Sequence, residues 1–147
     1  HEDRTLYFDF LQLELGKISG LTPKIHLYTV PGQPYYEASR RLVLRGVDGI
    51  VFVADSAAPR TTDNLESWKN MHAHLASLGI DAGSLPIVMQ YNKRDLPDAI
   101  PVSVLHTLLQ GNGRPAFEAV ALRGEGVFDT LKTVINHVVR AVQQQTA

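Results

Sequence analysis

The sequence predicts an α/β fold in which a mostly parallel sheet is covered by helices on both faces. Two apolar runs, residues 49–54 and 85–89, do not alternate with polar residues, which is typical of strands buried on both sides. A helical pattern lies between them, and strands that alternate with helices favour a parallel sheet. With 147 residues, 44% of them hydrophobic and 20% charged, the chain has the composition of one globular domain.

The first two strands are predicted to form a hairpin. Residues 5–15 are largely strand-like, because leucines alternate with polar residues from Leu11 to Leu15. Residues 24–30 alternate in the same way, and the connector between the two runs is rich in turn residues. One face of this hairpin is therefore expected to meet solvent.

A helix is predicted between the two buried strands. Thr61 to Asn64 supply residues that cap helices, and apolar residues then recur at spacings of three or four until Gly79. The apolar positions are Leu65, Trp68, Met71, Leu75 and Leu78. This spacing places one apolar stripe against the sheet.

The last third of the chain predicts a helix over residues 101–109, a short strand over 117–121 and a closing helix over 127–142. The inward positions of the closing helix are Leu131, Val134, Ile135, Val138, Val139 and Val142. The glutamines at 143–145 are expected to fray from its end.

Composition excludes several classes of function. The chain has no cysteine, so disulfides and thiolate metal sites are ruled out. A net charge of -1 does not fit a dedicated nucleic-acid binder. No apolar run approaches the roughly 18 residues of a membrane span, and no signal-peptide pattern opens the chain. We therefore expect a cytoplasmic protein without a transmembrane segment.

Polar residues after buried strands are the first candidates for a binding site, because ligands of parallel sheets bind outside the carboxyl ends of the strands. Three segments qualify, namely residues 29–33, 92–95 and 118–121. All three are expected to open on one edge of the sheet. For Asp55, which also ends a strand, ordinary capping is a sufficient explanation.

Four segments in this order resemble the Ras-like small GTPases, and within them the bacterial gliding-motility branch. They are RTLYFDF at 4–10, HLYTVPGQ at 26–33, LRGVDGIVFVADS at 44–56 and NKRDLP at 92–97. The resemblance covers essentially the whole chain. It implies a three-layer α/β/α fold of the P-loop-NTPase-like small GTPase type.

The resemblance implies a guanine site at the segment N-K-x-D. Asp95 would accept hydrogen bonds from N1–H and the 2-amino group of guanine, both absent from adenine, and Lys93 would lay its methylene stem along the base. Asn92 would tie the loop to its neighbours, and Ala121 would offer its backbone N–H to guanine O6. Arg94 occupies the variable position. Taken alone, this segment would be an ordinary solvated turn.

The segment Thr29 to Gln33 corresponds to the family's D-x-x-G-Q motif. The resemblance implies that the Gly32 N–H meets the γ-phosphate and that Gln33 is the catalytic residue that orients water. Thr29 stands where relatives carry an aspartate near Mg²⁺ and would act there through water. The cofactors implied are GTP or GDP and Mg²⁺. An exposed loop glutamine is the alternative for Gln33.

A partner surface is predicted just after this loop. Aromatic residues and arginines are typical of binding patches, and here they are Tyr35, Tyr36, Arg40 and Arg41. The resemblance implies a nucleotide-dependent contact with an MglB-like activator of the roadblock fold. The alternative is a surface pair between Glu37 and Arg41.

The family's phosphate-binding motif, G-x-x-x-x-G-K-S/T, does not occur in these 147 residues. In the family it follows a first strand that lies between the second strand predicted here and the strand at Ile50. We therefore expect residues 1–147 to be the C-terminal part of a single small-GTPase domain, with a seam in its core and little stability alone. Two functions stay open, a GTP-hydrolysing switch and a non-hydrolysing interaction module.

Overall fold

The computed structural model describes residues 10–14, 16–18, 20–30, 37–111 and 113–146. Within these ranges the chain forms strands and α-helices in alternation after an initial hairpin. In chain order they are β1 (Phe10–Glu14), β2 (Lys24–Tyr28), α1 (Glu37–Leu44), β3 (Ile50–Asp55), α2 (Thr61–Ser77), β4 (Ile87–Asn92), α3 (Val102–Leu108), β5 (Ala116–Glu118) and α4 (Val127–Thr146).

The described strands form two sheets. β1 and β2 pair antiparallel, with Leu11 opposite Leu27, which confirms the predicted hairpin. β3, β4 and β5 form a parallel sheet with β4 in the middle, which confirms the predicted parallel arrangement for these strands. Among the described strands, the division between the two sheets falls between β2 and β3.

Helices cover both faces of the parallel sheet. On one face the buried residues of α4 pack against Val88, and Ile18 and Ile25 join this cluster from the hairpin. On the other face, Phe52 and Met89 belong to a larger core that α2 and α3 complete. The helix residues of that core include Trp68, Met71, Leu75 and Leu105. The three-layer α/β/α prediction is therefore confirmed.

The start of α2 differs from the prediction. The residue before the helix is Arg60, and no side chain caps the helix there. Asp63 instead pairs with Arg60 at 3.0 Å, and the Thr61 hydroxyl donates to the Ala58 carbonyl at 2.9 Å. Asn64 is also unavailable as a cap, because its side chain is bonded to Asp55.

The last third of the chain also departs from the predicted boundaries. β5 ends at Glu118, and Ala121 begins a short 3-10 turn, because the chain folds back so that Val120 pairs with Glu125. α4 continues through the glutamines that were expected to fray. Its predicted inward residue Val142 is 37% exposed, so the inward prediction is wrong at this position.

A partly buried histidine of α2, His72, packs against the core residue Trp68. The rings of His72 and Trp68 are 4.6 Å apart, and the Arg114 guanidinium lies 5.3 Å from the Trp68 ring. Burial, and next the positive charge of Arg114, lower the pKa of His72 below its ordinary value of 6.5.

This shift predicts a loss of stability in mild acid. The unfolded chain takes up the His72 proton at a higher pH than the folded chain does, so the contribution is complete above pH 6.5 and falls as the pH drops below it. We expect His72→Gln to flatten the decline in the free energy of unfolding, measured by urea titration across this range. Arg114→Gln should flatten it partly. An unchanged slope in both variants would contradict the assignment to His72.

Candidate functional site

Parallel pairing brings the ends of β3, β4 and β5 to one edge of the sheet. Asp55 lies opposite Asn92, and Tyr91 lies opposite Glu118 in the adjacent pair. The predicted loops after β4 and β5 therefore meet at this edge. Thr29, by contrast, follows β2 in the separate hairpin, where it is exposed.

Near the end of β4, the Tyr91 side chain contacts His106 of α3. The Tyr91 side chain is fully buried, and its hydroxyl oxygen lies 2.5 Å from Nδ1 of His106. Burial raises the pKa of Tyr91 to about 12, so the hydroxyl keeps its proton at neutral pH. A protonated hydroxyl can donate to the imidazole, which ties α3 to the strand that carries the candidate site.

Asn92 joins the two loops. Its side-chain oxygen accepts a hydrogen bond from the Ala121 N–H at 2.9 Å. The backbone N–H of Arg94 also donates across the gap, to the Ala119 carbonyl at 3.2 Å. The Ala121 N–H that the sequence analysis reserved for a base is thus engaged with Asn92 in this structure.

Lys93 adopts a backbone conformation that L-residues rarely use. Its φ is +63°, in the left-handed region. Its ammonium lies 3.1 Å from Oδ2 of Asp55, while Oδ1 of Asp55 accepts a hydrogen bond from the Ala57 N–H at 3.0 Å. Both carboxylate oxygens of Asp55 are therefore used, and one of them positions Lys93.

Arg94 makes hydrogen bonds that hold the loop after β4 in place. Its side chain is only 18% exposed, and Nε donates to Oε1 of Glu118 at 3.2 Å. Nη1 donates to the Ile100 carbonyl just before α3. These bonds attach the loop to β5 and to the start of α3. Arg94 was predicted only as the variable position of its motif, so this role was not predicted.

Asp95 presents its carboxylate at the surface of this loop. Its side chain is 38% exposed, and Oδ2 lies 3.8 Å from Nη2 of Arg123. An exposed pair at that separation is weak, because solvent screens it. The carboxylate can therefore accept hydrogen bonds from a ligand. The loop thus offers an accessible acceptor at this edge of the sheet, while the nearby N–H groups of Ala121 and Arg94 are engaged within the protein.

Comparison with known proteins decides the family. No family model matches the chain. The chain is 51% identical over 142 residues to the mutual gliding-motility protein MglA of Myxococcus xanthus (strain DK1622), an alignment that covers 97% of this chain and 73% of the relative. The chain belongs to the MglA family of Ras-like small GTPases. In this MglA-family chain, the loops predicted after β4 and β5 lie together at the edge formed by β3, β4 and β5.

Two further residues of this MglA-family site were missed by sequence analysis. Asp55 was explained as a strand cap, yet it pairs with Lys93. Asn64 was explained as a helix cap, yet its amide bonds the backbone of Asp55 on both sides. The only sequence signal for this link is an asparagine in the first turn of the helix that follows a strand ending in aspartate.

The other predicted residues lie away from this edge or outside the described ranges. Gly32, Gln33, Tyr35 and Tyr36 fall within residues 31–36, which are outside the described residues. On α1, Arg40 donates to the Asn70 side chain of α2 at 3.0 Å, and the neighbouring Arg41 is exposed.

The described part of this MglA-family chain contains neither a metal-binding cluster nor a membrane-spanning helix. Among residues 10–14, 16–18, 20–30, 37–111 and 113–146, no three His, Cys, Asp or Glu side chains cluster so as to hold a metal ion. In the same ranges, no helix is both long enough and apolar enough to cross a membrane.

Proposed function

We propose that this chain is part of a guanine-nucleotide switch that binds GTP and GDP, hydrolyses GTP, and changes partner binding between the two states. One observation carries the proposal. The Asn92 side-chain oxygen joins the loops after β4 and β5 by accepting from the Ala121 N–H at 2.9 Å, and the nearby Asp95 carboxylate is accessible. The membership of the chain in the MglA family supports the same function.

Base recognition would rest on the chemistry of Asp95. Its carboxylate can accept from both N1–H and the 2-amino group of guanine, and hydrogen bonds to a charged acceptor are worth about 1.5–3 kcal/mol each. Adenine lacks this pair of donors. Guanine O6 would compete with Asn92 for the Ala121 N–H, so base binding is expected to loosen the bond between these loops.

Hydrolysis is proposed to use the loop after β2. Gly32 would bind the γ-phosphate through its N–H, Gln33 would orient the attacking water, and Thr29 would act near Mg²⁺ through water. When bound with GTP, Mg²⁺ would supply charge stabilisation to the phosphates. Among the described residues, no three His, Cys, Asp or Glu side chains form a cluster that could hold that ion by itself.

The proposed partner is an MglB-like activator of the roadblock fold. Its contact surface would comprise Tyr35, Tyr36, Arg40 and Arg41, next to the loop that reads the γ-phosphate. The hydrogen bond from Arg40 to Asn70 holds α1 against α2. The exposed side chain of Arg41 therefore lies on a helix whose position is fixed. We place this switch in the cytoplasm and residues 1–147 in one small-GTPase domain. The relationship to MglA does not favour a non-hydrolysing interaction module.

Thermal stabilisation by nucleotides tests the binding step. In the full-length gene product, GTP and GDP with Mg²⁺ are expected to raise the melting temperature, since a ligand at 100 times its Kd adds about 2.7 kcal/mol of stability. ATP at the same concentration should give no shift. Equal shifts with ATP, or none with GDP, would overturn the guanine site.

Phosphate release tests the hydrolytic step separately. Gln33→Leu is expected to slow GTP hydrolysis and to leave GDP affinity within about twofold, because a water-orienting side chain has no contact with the base. Binding of GTP without release of phosphate by the unsubstituted protein would favour the interaction module.

A further inference from the structure

The end of β3 is fixed by a side chain of α2. The Asn64 side-chain oxygen accepts a hydrogen bond from the Asp55 N–H at 3.1 Å, and its amide nitrogen donates to the Asp55 carbonyl at 2.8 Å. Asn64 is 7% exposed, so water cannot readily replace either bond if the side chain is removed. Two bonds to the backbone of one residue leave that residue little freedom to shift or rotate.

The Asp55 carboxylate passes this constraint to the candidate base site. One oxygen is held by the Ala57 N–H at 3.0 Å, and the other lies 3.1 Å from the Lys93 ammonium. Since the backbone of Asp55 is held by Asn64 and one of its carboxylate oxygens by Ala57, the second oxygen has a defined position. Lys93 is consequently anchored to a fixed acceptor on the neighbouring strand.

Lys93 depends on such an anchor because of its backbone. Non-glycine residues at φ of +63° are strained, and they persist where surrounding contacts hold them. The ion pair with Asp55 is a contact of this kind. Without the ion pair, the backbone of Lys93 is expected to relax to a more favourable φ and to change the path of the chain between Asn92 and Asp95.

We infer that Asn64 is a positioning residue for nucleotide binding, acting through Asp55 to hold Lys93 in the conformation that the base site requires. This inference rests on the proposed binding of guanine nucleotide at that site. It assigns Asn64 no contact with the nucleotide. Its effect on affinity must therefore disappear when Lys93 no longer has an ammonium to be placed.

A double-mutant cycle in the full-length gene product separates this role from a merely structural one. GDP affinity is measured for the unsubstituted protein, Asn64→Ala, Lys93→Ala and the double variant. We expect Asn64→Ala to weaken GDP binding about tenfold in the presence of Lys93, the size expected from losing buried hydrogen bonds. In the Lys93→Ala background it should weaken binding by less than about twofold.

Asn70→Ala is the matched control. It removes an asparagine from the same helix, but its hydrogen bond is to Arg40 of α1. It should leave GDP affinity within about twofold, since it does not contact the end of β3. If Asn64→Ala does not fold, Asp55→Asn replaces it in the cycle, because an asparagine can still accept from Ala57 but cannot pair with the ammonium.

The outcomes are distinguishable. Equal losses from Asn64→Ala in both backgrounds, or no loss at all, would overturn the positioning role while leaving guanine binding in place. If the unsubstituted protein binds no GDP, the proposed function fails and this inference fails with it. Coupling confined to Lys93, with Asn70→Ala silent, would establish the link from α2 to the base site.

Discussion

Asp95→Asn is expected to abolish the preference for guanine and to create one for xanthine. The carboxylate offers two acceptors to the N1–H and 2-amino donors, whereas an amide offers one acceptor and one donor. The amide donor would face the 2-amino group of guanine, which is also a donor. Xanthine carries a carbonyl at that position and can accept from it. Losing charge-assisted bonds of about 3 kcal/mol in total weakens GDP binding about a hundredfold.

Competition between GDP and XDP for the full-length gene product measures this exchange. Asp98→Asn is the matched control, since it makes the same change at an exposed position three residues further along the loop. It should leave both affinities unchanged. The stability of Asp95→Asn should also be near normal, because the pair with Arg123 is long and exposed. Retention of GDP affinity without a gain for XDP would place the base elsewhere.

Gly126→Ala is expected to be strongly destabilising. Gly126 precedes α4 with φ of +79°, and an added Cβ would lie 2.1 Å from the Glu118 carbonyl oxygen. Left-handed backbone costs an L-residue about 1–2 kcal/mol. The clash is with backbone of β5, so the strand or the helix must move. We expect a total loss of at least about 3 kcal/mol in the free energy of unfolding.

Gly124→Ala separates the two contributions. Gly124 has a similar φ of +74°, but nothing lies within 4 Å of the Cβ that alanine would add. The Gly124→Ala variant should lose only the cost of the left-handed backbone, about 1–2 kcal/mol of the free energy of unfolding. Urea unfolding of the two variants without nucleotide, at equal m values, gives the comparison. Equal losses would show that β5 and α4 separate without resistance and would refute the close packing at Gly126.

The periodic parts of the chain were predictable from sequence because period and burial are linked. The alternation around Leu11 marked the hairpin, and the unbroken apolar runs marked β3 and β4. The fold-back of the chain after β5 was not predictable, because it depends on Val120 meeting Glu125 rather than on local pattern. The exposure of Val142 was missed for a similar reason, since helical spacing does not reveal where the partner surface of a helix ends.

At the site, sequence could indicate residues but not the links between them. Asn92, Lys93 and Asp95 are adjacent in a short motif and could be predicted. Their supports come from distant segments: Asn64 lies nine positions from Asp55, and Asp55 meets Lys93 only because β3 and β4 pair in register. Such links depend on the packing of α2 and the sheet, which no local pattern in a single sequence contains.

At position 93, the residue that best suits the left-handed backbone differs from the residue that makes the ion pair with Asp55. Glycine would adopt φ of +63° without strain, so Lys93→Gly would relax the chain there. The same change would delete the ammonium and leave Asp55 without its cation. Selection for a more stable fold and selection for the site therefore favour different residues at position 93. Lysine at this position therefore combines a strained backbone with the charge that pairs with Asp55.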